Sequence, residues 1–232
     1  MKEEIAASGR RSFLGRLWTA VGGAGAAVMV TSTVLAQSPK TPWQPAKHDQ
    51  DDWFDQLPGK HRFLFDTSTP QGFGGALLFA NNYFEANRTG YGLQNSDLAL
   101  VIVARHNSTP FAFNDAIWSK YGAAISQQSG FTDPKTKQPP ANNIYNASGY
   151  GTGLPNFGIT LDGVLKRGVQ LAVCQMATRA YAGTIARAAG ANTDTVYAEL
   201  SANLVSNSHL VPAGIVAVNR GQERGYSLVN VS

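Results

Sequence analysis

Cysteine occurs once in the 232 residues, at Cys174. A single thiol excludes an intramolecular disulfide framework. In an oxidising compartment it has three fates: burial, pairing between chains, or reactivity. Histidine is nearly as scarce, and His48, His61, His106 and His209 stand far apart with none at ligand spacing from another, so no metal is expected. The glycines Gly72, Gly74 and Gly75 follow a strand pattern without the G-x-G-x-x-G spacing; a dinucleotide is disfavoured, and no cofactor is expected. G-x-S-x-G is missing too, which argues against a serine hydrolase built on a nucleophile elbow. Charged side chains make up 15% of the chain, and past residue 36 no run of Lys or Arg offers a surface for nucleic acid or an acidic membrane.

What is present begins with an address. Gly9-Arg10-Arg11-Ser12-Phe13-Leu14 is a twin-arginine pattern, followed over 17–35 by an apolar run rich in Gly, Ala and Thr, and then by Val34-Leu35-Ala36 with small residues where a signal peptidase reads. The run is long enough to be considered as a membrane span. Its small-residue character and the Ala36 site favour removal instead, leaving no stable anchor. Residues 1–36 are therefore read as a twin-arginine signal, and the mature protein as exported to the periplasm of a bacterium. Its loss takes away four basic and two acidic side chains, bringing the net charge from +4 to +2, and leaves 196 residues, enough for one sizeable core.

Residues 37–60, with Pro, Gln, Asp, Lys, Trp43 and Trp53 and no sustained period, read as an extended arm. A single domain follows over 61–232. Arg62 to Phe65 has strand character, and Asp66-Thr67-Ser68-Thr69-Pro70 is a turn holding several helix caps. Phe73, Ala76, Leu77, Ala80 and Phe84 then share one helical face and predict a helix over 72–87. The unbroken L-A-L-V-I-V-A within 96–104 predicts a central strand covered on both faces. A helix over 111–121, carrying Phe113, Ala116 and Ile117 inward, ends at Gly122. From 123 to 158 the chain is Gly, Pro, Asn, Ser, Gln and Tyr, far longer than the ~4 to 6 residues of an ordinary connection, and reads as an insertion.

Regular patterning returns with a helix over 161–167 stopped by Gly168, a buried strand through Leu171-Ala172-Val173, a helix capped by Thr178 and closed by Gly190, and a helix over 193–205. Gly214-Ile-Val-Ala-Val-Asn219 reads as a strand entered from Pro212, 220–225 as a polar turn, and 226–229 as an edge strand. Alternation of this kind demands an α/β sandwich with a mainly parallel sheet.

Cys174 falls at the carboxyl end of its strand, the edge where ligands and chemistry gather in open α/β sheets. A thiol reacts as thiolate, and a following helix terminus contributes roughly 0.3 to 1 kcal/mol to that charge, less than the ~1.36 kcal/mol of one pKa unit. A cation is required as well. Arg105, at the end of what should be a neighbouring strand, and Arg179, one turn into the next helix, are the candidates, with His106 as base or proton donor. Plainer roles stand beside these: Cys174 as a small buried hydrophobe, Arg105 in a structural ion pair, His106 capping a loop.

The segment V-C-Q-M-A-T-R, a long helix after it, and L-V-P-A-G-I-V-A-V-N-R-G-Q-E-R-G-Y together resemble the DsrE/DsrF family of sulfur-relay proteins, and more closely its exported members with a twin-arginine signal. The likeness covers roughly 60–229 in order of elements and is specific mainly in the last third. It implies a three-layer α/β/α domain around a five-stranded, largely parallel sheet, assembled as a homo-oligomer, a trimer or hexamer. It further implies a persulfide carried on Cys174, with a sulfur donor or acceptor protein as partner. The export signal, the arm and the 123–158 insertion depart from the cytoplasmic carriers of that family. The alternative is a non-catalytic ligand-binding or assembly module on the same sheet, with Phe131, Tyr145, Tyr150 and Phe157 of the insertion forming a cover or subunit contact.

Overall fold

The computed structural model describes residues 43–232, of which 45–232 form one compact unit. The twin-arginine motif and the Ala36 site lie outside the described residues. Five strands, β1 (His61–Thr67), β2 (Leu98–Ala104), β3 (Gln170–Cys174), β4 (Ser208–Val211) and β5 (Ser227–Val231), form one sheet in the order β4-β3-β2-β1-β5. Every neighbouring pair is parallel. The helices are α1 (Trp53–Gln56), α2 (Pro70–Tyr91), α3 (Asp115–Ser129), α4 (Leu161–Lys166), α5 (Gln175–Ala189), α6 (Thr193–Ala202) and α7 (Gly214–Glu223). The architecture is a three-layer α/β/α sandwich, the α/β class with a parallel sheet that the alternation of patterns implies.

Strand alternation builds the layers. Phe65, Leu100, Ile102, Leu171 and Val173 point into a large apolar core with residues of α2 through α6, while Leu64, Ala99, Val101, Val103 and Ala172 share a smaller one with Phe54 of α1 and Ala217 and Val218 of α7. All seven residues of β2 are buried, as its continuous apolar run requires of a doubly covered central strand. The chain runs from β1 to β4 across the sheet with α2 to α6 on one face. Then α7 carries it back over the other face, and β5 pairs with β1.

Local signals explain the helix ends. Thr69 caps α2, its Oγ1 accepting from the Gly72 amide at 2.9 Å, Pro70 takes the first position, and Gly92 at φ 68° ends the helix beyond the predicted residue 87. The helix predicted over 111–121 is displaced: 106–112 is 3-10 turn, and α3 begins after the Asn114 cap and continues through Gly122. Gly122 is a point of close approach, where a Cβ would lie 2.3 Å from the Pro140 carbonyl oxygen. The insertion thus starts with two turns of α3, and its remainder, though largely exposed, anchors several side chains in the core. Phe131, Ile144, Tyr145 and Leu154 are buried, the Tyr145 hydroxyl donates to the Pro70 carbonyl, and Asn143 Nδ2 donates to the Phe111 and Phe113 carbonyls at 2.8 and 3.0 Å.

Three further expectations are corrected. The run 214–219 is no strand but the first part of α7, with Gly214, Ala217, Val218 and Gly221 buried at helical spacing; the strand is Ser208–Val211 before it. Helix α5 starts at Gln175, so its cap is Cys174 itself and Thr178 lies inside. The arm is not extended throughout: a 3-10 turn (Asp49–Asp51) leads into α1, Phe54 is fully buried, and Trp53 stacks on Phe54 and on His209 at 3.8 and 4.0 Å between ring centroids.

Candidate functional site

The chain leaves β3 toward α5 on one face of the sheet and leaves β4 toward α7 on the other. Diverging connections of this kind open a crevice at the carboxyl ends of the two strands. Their terminal residues, Cys174 and Val211, are register partners, so the thiol sits at that divergence.

Cys174 keeps 7% of its surface exposed where Ala172 and Val173 before it keep none. Its Sγ accepts from the Ala177 amide at 3.4 Å, and its carbonyl accepts from Thr178 Oγ1 at 2.9 Å, so both ends of the residue are tied into the first turn of α5. Parallel register pairs Ala104 with Val173, which places Arg105, the next residue, beside Cys174. The Arg105 guanidinium donates from Nε and Nη2 to the two carboxylate oxygens of Asp66 at 2.7 and 2.9 Å. Asp66 is itself buried and accepts from Asn230 Nδ2 at 3.2 Å. Counting by twos from Leu64, Val103, Ala172 and Leu228 puts Asp66, Arg105, Cys174 and Asn230 on the face that α7 covers. Hydrogen bonding to Asp66, foremost, and the negative charge of that carboxylate raise the Arg105 pKa above its ordinary value.

The backbone around Arg105 is held on all sides. Its amide donates to Ser108 Oγ at 2.9 Å, Ser108 Oγ donates to the Thr67 carbonyl at 2.9 Å, and Thr67 Oγ1 donates to the Val103 carbonyl at 2.7 Å. Gly214, first residue of α7, lies so close that a Cβ there would be 2.5 Å from the Arg105 Cβ. The α7 cap, Ala213, offers no side-chain acceptor.

His106 adopts φ 57°, a conformation costly for a residue with a Cβ, and its side chain is exposed next to Arg105. Arg179 turns elsewhere: its guanidinium lies 3.5 Å from Asp194 and 3.9 Å from the centre of the Tyr197 ring, so it joins α5 to α6. Cys174 and Arg105 are brought together and His106 adjoins them, while Arg179 is engaged away from them. Sequence reasoning missed Asp66, Asn230 and Gly214. The legible signal was that Asp66 and Arg105, opposite in charge, end adjacent parallel strands on one face.

Two apolar side chains flank the crevice, Met176 in the first turn of α5 (69% exposed) and Ile215 in the first turn of α7 (61% exposed). Two hollows lie at the other edge of the sheet. One of about 670 Å³ is lined by His61, Tyr83, Asn87, Tyr91 and Leu93, and one of about 510 Å³ by Arg88, Arg167 and their neighbours.

Fold and site define a class, an α/β/α sandwich with a thiol and a guanidinium at the divergence of its parallel strands. No protein-family model, no curated protein and no solved structure matches this chain.

Proposed function

We propose that the protein is an exported thiol-based sulfur carrier or sulfurtransferase, similar to the DsrE/DsrF family, that holds sulfane sulfur as a persulfide on Cys174. The observation that supports this most is the meeting of Cys174 with Arg105 at the carboxyl edge of the sheet. The amide of Ala177 donates to the Cys174 sulfur, and Arg105, paired with Asp66, stands beside it. In the reaction the Cys174 thiolate attacks the terminal sulfur of an inorganic polysulfide. A new S–S bond forms, the donor's S–S bond breaks, and the shortened polysulfide leaves with the electron pair. A protein acceptor takes the sulfur in the same way. Working as a homo-oligomer, trimer or hexamer, in the periplasm belongs to this reading; the sequence patterns at 9–36 and the family resemblance support it.

Mass spectrometry of the native protein isolated from the periplasm tests it. Exposure to polysulfide is expected to add one sulfur to the Cys174 peptide of a chain that begins at Gln37. Cys174→Ser is expected to carry none and to stay folded, because a serine hydroxyl caps α5 as well as the thiol does. A native chain that takes up no sulfur ends the proposal. The small exposure of Cys174 favours the second reading, a non-catalytic ligand-binding or assembly module. Iodoacetamide labelling only after unfolding would select that one.

A further inference from the structure

We infer that Asp66, held by Asn230, sets the charge that Arg105 presents to Cys174, making Asp66 a positioning residue for the thiol. The inference deepens the proposed function and rests on Cys174 being a working thiol. Its basis is the geometry of three neighbouring strands. Asp66 on β1 takes the whole Nε and Nη2 edge of the guanidinium, the strongest arrangement a carboxylate and an arginine make. That contact fixes the orientation of the planar group and also neutralises it.

The stem of Arg105 is fixed separately. Gly214 packs so tightly on it that a Cβ would lie 2.5, 3.0 and 3.2 Å from its Cβ, Cδ and Cγ. Removing the Asp66 charge therefore leaves the guanidinium near the thiol, and raises the net charge of the pair from zero to one positive. Nothing else packed against Arg105 offsets the change. The first turn of α7, Gly214 to Val216, carries no titratable side chain, β5 brings the neutral Asn230, the first turn of α5 brings Gln175 and Met176, and His106 is exposed.

The chemistry that reads this out is alkylation of the native protein by iodoacetamide. The thiol proton passes to water, the thiolate attacks the methylene carbon, and iodide leaves with the electron pair of the broken C–I bond. Asp66→Asn keeps the shape and one acceptor for Arg105 while deleting the charge. It is expected to speed labelling near pH 7 by about threefold to tenfold, the scale of one nearby charge at intermediate dielectric, and to leave the rate near pH 10 unchanged. Asn230→Asp, on the exposed edge strand, adds a negative charge and is expected to slow labelling near pH 7. Arg105→Ala, which leaves the Asp66 charge uncompensated, is expected to slow labelling near pH 7, and Asp66→Asn with Arg105→Ala to bring it back toward the wild-type rate.

A folded Asp66→Asn protein with the wild-type pH profile overturns the inference, as does a double variant that labels no faster than Arg105→Ala alone. Should Asp66→Asn not fold, Asn230→Asp decides, and a wild-type profile there overturns it. The two readings fail separately. Shifted profiles without any persulfide would retire the sulfur carrier and keep the Asp66 role; persulfide loading with unshifted profiles would do the reverse.

Discussion

His209 is the residue at which pH reaches the fold. Its ring lies flat on Trp53, with ring centroids 4.0 Å apart and planes 4° apart, and its Nε2 is 3.0 Å from Gln170 Oε1. Burial pushes its pKa below the ordinary 6.5, so the unfolded chain takes a proton there more readily than the folded one. The stability linked to His209 is complete above about pH 6.5 and is lost as pH falls from there toward the lower, folded value. Thermal unfolding followed by circular dichroism from pH 8 down to about pH 5 should show Tm falling through that window, with His209→Gln flattening the fall. Equal slopes for both proteins would contradict the assignment. At this scale the sequence was half legible. Cys174 and Arg105 could be found because each ends a recognisable strand; Asp66 was hidden inside D-T-S-T-P, where cap and turn chemistry drew attention from its place on the strand. Arg179 was misjudged because three-residue and four-residue helical spacing alone does not say which neighbour a long side chain will meet.

Among the elements, α7 shows why an apolar run does not name its own structure. Gly-Ile-Val-Ala-Val-Asn is β-branched and short, as a buried strand would be, yet it belongs to a helix whose buried face is Gly214, Ala217, Val218 and Gly221. The spacing i, i+3, i+4, i+7 was present, but only when the polar residues 220–223 are counted in the same window. Continuous patterns such as β2 and α2 left no such choice. Within α2 two glycines make opposite predictions. A Cβ at Gly72 would lie 2.2 Å from the Val231 carbonyl oxygen, so Gly72→Ala must push β5 from its seat and is expected to cost about 1 to 3 kcal/mol. Gly90 meets nothing within 4 Å, and Gly90→Ala is expected to stabilise by about 0.4 to 1 kcal/mol. Midpoints of urea unfolding decide both, and a same-sign shift would refute the packing account.

For the whole molecule, the thinness of the second layer matters most. Among the described residues only α7 and the segment around α1 cover that face, and that segment is anchored by Phe54, whose carbonyl accepts from the Tyr226 hydroxyl at 2.9 Å and whose ring meets Tyr226 edge-on at 5.5 Å. Deleting residues 43–57 should lower stability by at least about 3 kcal/mol, the scale of one lost core aromatic. Calorimetry showing an unchanged Tm would mean that the arm is dispensable. Composition could not reveal this dependence, because Pro, Asp and Gln around two tryptophans look alike in a packed strap and in a free tail.

The return of α7 sets an order of events in synthesis. Since β5 is made after the other four strands and pairs with β1, the first of them, the sheet cannot close until residues 227–231 reach it. Until α7 folds back over the sheet, Leu64 and Val101 lack its cover. A chain cut short before residue 214 would therefore announce itself by the apolar face it leaves bare.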